Sequence, residues 1–260
     1  MFQCLKWCDS ENILYNMIFL LRFNKEPIIY KQIYKNNIRA LLTGNLKLSS
    51  KKRIGPHNLD IISMIIGSTL GDSHLEKRKK GIGTRIIFEQ SNKNVEYLMW
   101  FHSYLSIRGY CNPNKPKLHK RIKKNGEILF HYRVNSYTYS SFNWIHEMFY
   151  KFNTKDNKFI KIIPFNIEEY LTPLALAIWF MDEGSKLGKG AKIATKCFTI
   201  KELTFLCNIL HKKYNLTVSI QSGGTNKGHT LYINKNSMST FSKLVKPLML
   251  HSLYYKLGNY

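Results

Sequence analysis

The chain is short of the residues that build a secreted or metal-stapled domain. Its five cysteines (Cys4, Cys8, Cys111, Cys197, Cys207) are odd in number, and no two form a C-x-x-C pair. That argues against a disulfide framework and a structural zinc site, and for a reducing compartment. The nine histidines contain no H-x-x-x-H or H-E-x-x-H spacing, so a zinc hydrolase is not expected. Gly-rich nucleotide loops of the G-x-G-x-x-G or G-x-x-x-x-G-K-[ST] kind are missing too. No apolar run approaches the ~20 residues of a membrane span. The longest, near 59–70 and 171–181, end in carboxylates. The amino terminus has no basic start and contains Asp9 and Glu11, so neither a secretory nor a transit peptide is expected. Acid is the scarcest charge, with 16 Asp+Glu against 40 Lys+Arg.

What remains is a 260-residue chain with 44% hydrophobic and 13% aromatic residues, enough for a sizeable core, and a net charge of +24. Such a charge calls for a polyanion, and nucleic acid comes first. An anionic membrane surface comes well behind, because the cations fall on predicted strands and loops rather than on one amphipathic helix. The charge is uneven in kind. No arginine follows Arg133, and beyond Gly184 twelve lysines face the single acid Glu202.

From residue 57 onward the same order of elements is written twice. An apolar helix is predicted from Leu59 to about Asp72, then a basic loop Lys77–Gly83, a strand Thr84–Ser91 and a helix Val95–Arg108. Basic strands flank the Asn125-Gly126 turn, and a helix near 140–149 closes the unit. The second unit opens with a helix capped by Thr172 and Pro173 and ending near Glu183. A strand 191–198, a helix 200–214, strands around 222–228 and a helix from Ser237 follow. Residues 1–56 do not repeat and read as a basic, partly helical arm. The expected organisation is therefore an arm (1–56), a first half (57–165) and a second half (166–260).

Each unit's first helix ends in acid: Asp72 after Gly71, and Asp182-Glu183 before Gly184. Acids at a helix C-terminus oppose its dipole by about 0.3–1 kcal/mol each. In an acid-poor chain, their recurrence at matching points speaks for a purpose. Carboxylates converging with carbonyl oxygens suit a hard cation, and Mg²⁺ takes one or two carboxylates plus phosphate oxygens and water.

Here the sequence resembles a known family. Residues 65–73, IIGSTLGDS, and 176–184, LAIWFMDEG, look like the two signature helices of a single-chain LAGLIDADG homing endonuclease, with FEQSNKN and YLTPLALAIWFMDEG as matching context. The resemblance covers residues 57–260. It implies an α+β fold of two pseudo-symmetric αββαββα halves, whose signature helices pack side by side and whose antiparallel sheets form a saddle on DNA. It also implies Mg²⁺ or Mn²⁺, with the eighth motif residues, Asp72 and Glu183, as catalytic metal ligands. Gly71 and Asp182, at the seventh position, stand beside them. Lys161 and Lys256 match a basic residue late in each half that the family places near the scissile phosphate, and Asn92 and Lys196 match a polar water-positioning residue.

Strand alternation adds candidate DNA contacts at Arg78, Lys80, Arg85, Gln90, Lys117, Arg133, Lys192 and Lys227, since a two-stranded ribbon fits the major groove. Most of the lysines are expected to touch phosphates only. The expected activity is metal-dependent hydrolysis of double-stranded DNA at a long asymmetric site, leaving short 3′ overhangs. The expected protein is a monomer encoded in an organellar group I intron, mitochondrial or alternatively chloroplast. Its rival is a maturase that binds group I intron RNA, for which the two intact acids would not be needed.

Overall fold

The computed structural model describes residues 48–77, 81–195, 197–224 and 228–260. Residues 48–260 form one unit; the expected arm, up to residue 47, lies outside the described residues. Arg53 belongs to this unit, donating from a guanidinium nitrogen to Thr138 O at 3.3 Å.

Helix α1 (Leu59–Leu70) starts because Asn58 accepts the Asp60 N–H in its side chain, and every residue from Ile61 to Leu70 is buried. A short strand β1 (His74–Lys77) pairs antiparallel with β2 (Thr84–Ser91), and helix α2 spans Val95–Ile107. β3 (Leu118–Ile122) and β4 (Ile128–Asn135) form the hairpin signalled by Asn125-Gly126, and α3 (Asn143–Phe149) follows. The sheet order is β1-β2-β4-β3.

A two-stranded hairpin comes next, β5 (Tyr150–Asn153) with β6 (Lys158–Lys161), and then the short α4 (Ile167–Tyr170). The sequence reading contained no such hairpin. Its turn holds Asn157 at φ 49°, a left-handed position that Asn tolerates.

Helix α5 (Pro173–Glu183) opens as expected, Thr172 Oγ1 accepting the Ala175 N–H at 3.1 Å. β7 (Gly184–Leu187), β8 (Gly190–Ala194), α6 (Ile200–Tyr214), β9 (Val218–Ser222), β10 (His229–Ile233) and α7 (Met238–Val245) complete the chain. Their sheet order, β7-β8-β10-β9, is the first sheet's order again. β8 stops four residues before Phe198, because Thr195 bonds back to His229 O and the chain turns. β9 and β10 flank the 222–228 stretch, as expected.

One core serves both halves. Trp179 and Phe180 of α5 and Phe88, Phe101, Phe142 and Phe149 of the first half are fully buried in one cluster. The fold is α+β, with helices on one face of each antiparallel sheet. Among the described residues no helix is long and apolar enough to cross a membrane.

Candidate nuclease centre at the paired helix ends

α1 and α5 lie backbone against backbone. A Cβ placed on Gly67 would stand 2.3 Å from Ala175 O and 2.9 Å from Ile178 Cβ, so only glycine permits this approach. Nearer the helix starts, Thr172 Oγ1 donates to Ser63 Oγ at 2.8 Å. At the other end a Cβ on Gly71 would fall 2.4 Å from Asp182 Oδ2. The two seventh-position residues thus meet where the helices end, and the absent side chain of one makes room for the carboxylate of the other.

This contact brings the acids together. Asp182 Oδ2 accepts the Asp72 backbone N–H at 3.2 Å, and its Oδ1 accepts the Tyr97 phenol at 2.6 Å. Asp72 itself is exposed, and its Oδ2 accepts from Gln90 Nε2, whose Oε1 accepts from Asn94 Nδ2 at 2.9 Å. Burial, and after it the Asp72 carboxylate, raise the Asp182 carboxyl well above the usual carboxylate range. Burial and the Asp182 carboxylate push the Tyr97 phenol up as well. Asp182, grouped with the metal residues in the sequence reading, has both side-chain oxygens engaged inside the junction. Glu183 is half-buried beside it.

The two lysines matched from the resemblance arrive at equivalent places. Lys161 Nζ, delivered by β6, donates to the carbonyls of Thr69 (2.7 Å), Ser73 (3.1 Å) and Gly71 (3.3 Å) at the end of α1. Lys256 Nζ donates to Met181 O and to Asp182 O (3.4 Å) at the end of α5. Each ammonium answers the unpaired carbonyls of a helix C-terminus. Desolvation lowers both lysine pKa values, while the carboxylates of Asp182, Asp72 and Glu183 oppose it. The two seventh-position carbonyls, Gly71 O and Asp182 O, are therefore lysine-held.

The donor set fits a hard cation. Asp72 and Glu183 offer carboxylate oxygens at adjoining helix ends, and the neighbouring oxygens are carbonyls. No group of three or more His, Cys, Asp or Glu among the described residues could hold a metal alone. The remaining positions would fall to water and phosphate, as Mg²⁺ prefers.

The strand faces place several of the residues expected to contact DNA. In β2 the even residues Thr84, Ile86, Phe88 and Gln90 are buried toward the helices, and Arg85 and Glu89 face outward. Gln90, expected among the DNA contacts, is turned inward to Asp72. The pattern TRIIFEQS hides this, because Ile86 and Ile87 are both apolar and buried, so alternation cannot choose a face. Arg85 and Arg133 are on the outer face but each pairs with a cross-strand acid, Glu76 and Glu89. Both ion pairs are partly exposed, and pairs of that kind are weak. Asn92 opens an exposed turn after β2, Lys117 is exposed just before β3, and Lys192 of β8 lies opposite Ser185 and Tyr232. Arg78, Lys80, Lys196 and Lys227 fall outside the described residues.

Sequence reasoning missed Tyr97 and Asn94. Their only signal is their place in QSNKNVEY, the segment joining β2 to α2.

Paired helices ending in acids, each attached to an antiparallel sheet of the same strand order, define a pseudo-twofold protein of the LAGLIDADG type. Residues 62–241 match the model of the LAGLIDADG DNA endonuclease family, and the chain belongs to that family. Among curated relatives it is 47% identical over 221 residues to the cytochrome b mRNA maturase bI2 of Saccharomyces cerevisiae, covering 83% of this chain and 52% of that protein. It is 42% identical to the maturase of the same name from Debaryomyces hansenii, covering 79% of this chain and 76% of that one. The chain thus spans about half the length of the yeast relative. Among solved structures it is similar to the homing endonuclease I-WcaI bound to its DNA recognition sequence, at 27% identity and a TM-score of 0.70, covering 83% of this chain and 96% of that one.

Proposed function

We propose that this chain is a sequence-specific DNA endonuclease that hydrolyses both strands of a long asymmetric target with the help of a divalent cation, Mg²⁺ or Mn²⁺, leaving short 3′ overhangs. The observation that carries this reading is the meeting of the two acid-bearing helix ends, with Asp72 and Asp182 bonded across it. Asp72 and Glu183 would hold the cation. Such a cation lowers the pKa of a bound water and neutralises charge on the leaving oxygen. The chain's own part is positional. Gln90 orients the Asp72 carboxylate, and Lys161 and Lys256 fix the carbonyl ends on which both acids ride. The halves 57–165 and 166–260 would each present one sheet to the DNA, in a monomer.

A second reading, RNA-binding assistance to splicing of a group I intron, is favoured by the likeness to the two cytochrome b mRNA maturases. Those names, with cytochrome b as the host message, also support an intron-encoded origin in the mitochondrion rather than the chloroplast.

The discriminating experiment incubates the protein with Mg²⁺ and a duplex spanning the junction formed when the intron is absent. Cleavage that Glu183→Gln lowers by orders of magnitude at unchanged DNA affinity, with Asp182→Asn costing much less, is the expected result. No cleavage by the wild type, together with tight and specific binding of intron RNA, would establish the maturase reading instead.

A further inference from the structure

Both Asp182 oxygens are taken by the first half, from Tyr97 and from the Asp72 backbone. The Asp72 carboxylate is held by Gln90, and Gln90 by Asn94. Residues 90–97, one β2-to-α2 connection, therefore reach the acidic ends of both signature helices. Two residues at the ends of the corresponding β8-to-α6 connection in the second half make other bonds. Thr195 Oγ1 donates to His229 O at 2.8 Å, and Glu202 closes a capping box with Thr199 while accepting the Ile163 N–H at 2.9 Å. Tyr97 is buried, its ring edge-on to Phe88 and stacked with Trp100, so the phenol has little freedom to look elsewhere.

We infer that Tyr97 and Asp182 form a positioning latch: the phenol fixes the Asp182 carboxylate, which pulls in the Asp72 N–H and so sets where the Asp72 side chain stands relative to Glu183. The inference rests on the endonuclease reading for its kinetic consequences. Both are positioning residues, their polar atoms spent on each other and on the Asp72 N–H. Their effect passes through the backbone at Gly71-Asp72, where the Asp182 side chain already occupies the only space a Cβ could take. Small displacements of a reacting group cost catalysis far more than binding, so the latch should act on the chemical step and on cation affinity, not on DNA affinity.

The test uses the full chain bound to the intron-junction duplex. Tyr97→Phe keeps the ring and removes only the donor. It should leave the dissociation constant of the duplex, measured in Ca²⁺, within about twofold, while the single-turnover rate falls about tenfold. A calorimetric titration of the protein–DNA complex with Mn²⁺ should give a midpoint raised severalfold. Asp182→Asn, which leaves one oxygen for two donors, should act alike and serves if Tyr97→Phe folds poorly. If the two residues act as one device, the double variant should be little worse than either single one.

Unchanged rate and unchanged Mn²⁺ midpoint would overturn the latch. So would multiplicative effects in the double variant, or a loss of rate matched by equal losses of DNA affinity and melting temperature. A wild type that cuts nothing, but whose Mn²⁺ midpoint still shifts on Tyr97→Phe, would sink the endonuclease reading and leave the latch standing.

Discussion

His57 shows how one side chain ties a signature helix to the rest of its half. It immediately precedes the α1 cap, and its two ring nitrogens lie 2.8 Å from Tyr110 Oη and 2.7 Å from Ser141 Oγ. Its ring packs against Phe142 at 4.5 Å and against Tyr110 and Tyr139 at 5.6 Å. Burial lowers its pKa from 6.5 to about 4. The unfolded chain therefore takes up a proton between those values that the folded chain refuses. The stability from a neutral His57 is fully present above pH 6.5 and is lost as pH falls toward 4. Discounted for the partial exposure of the ring, the loss should be about 1–2 kcal/mol. Chemical denaturation at pH 7 and at pH 4.5 should show it in the wild type, and His57→Gln should remove that part of the pH dependence. An identical pH dependence in the variant would show that the histidine titrates alike in the folded and unfolded chain.

At the scale of elements, the α1–α5 contact leaves no room for a larger residue. A methyl group on Gly67 meets a helix backbone oxygen rather than a flexible side chain, so the clash cannot be relieved locally. Gly67→Ala should cost about 3 kcal/mol by overpacking, read as a lower denaturation midpoint at unchanged slope. The lysine caps come next. Lys161→Met strands three carbonyls and should cost about 2 kcal/mol, and Lys256→Met, which strands two, should cost less. A thermal melt that ranks them the other way would put the weight of the cap on the second half. The signature helices, their acids and the repeated element order were all legible in the sequence, because Thr172-Pro173, Asn125-Gly126 and the long apolar runs are strong local signals. The β5–β6 hairpin was not, since its four-residue strands directly abut α3 and leave no separating turn before them. The face of β2 was not legible either, and with it the role of Gln90. The Tyr97–Asp182 bond joins residues 85 positions apart, a pairing that no local pattern records.

For the whole molecule the dominant quantity is the net charge of +24. Part of it is already answered, since Arg85, Arg133, Lys77 and Lys123 have acid partners on the first sheet and its neighbouring elements. The second sheet's outer face instead carries Lys192 with Ser185, Ser219, Gln221, Thr230 and Tyr232, none of them acidic. Long-range attraction should nevertheless dominate affinity. Each phosphate neutralised contributes about 0.9 to the log–log salt slope, so raising salt from about 50 to about 200 mM should weaken duplex binding about 10³-fold or more. A nearly flat salt dependence in filter binding would mean that the sheets do not lie along a phosphate backbone. Glu89→Gln should release Arg133 and raise affinity for unrelated duplexes, with the cognate duplex gaining less.

The Gly71–Asp182 contact also bears on inheritance. Repeated halves invite the idea that one half could be exchanged for that of a relative, yet the unit that must travel together is not a half. Tyr97 and Gly71 come from one side of the repeat and Asp182 from the other. A recombinant that keeps the first half but receives a second half lacking an acid at position 182 leaves a buried phenol with no acceptor. One that keeps the second half but receives a bulkier residue at position 71 drives a carboxylate out of its place. Exchange between lineages should therefore succeed only where these three positions are carried over as a set.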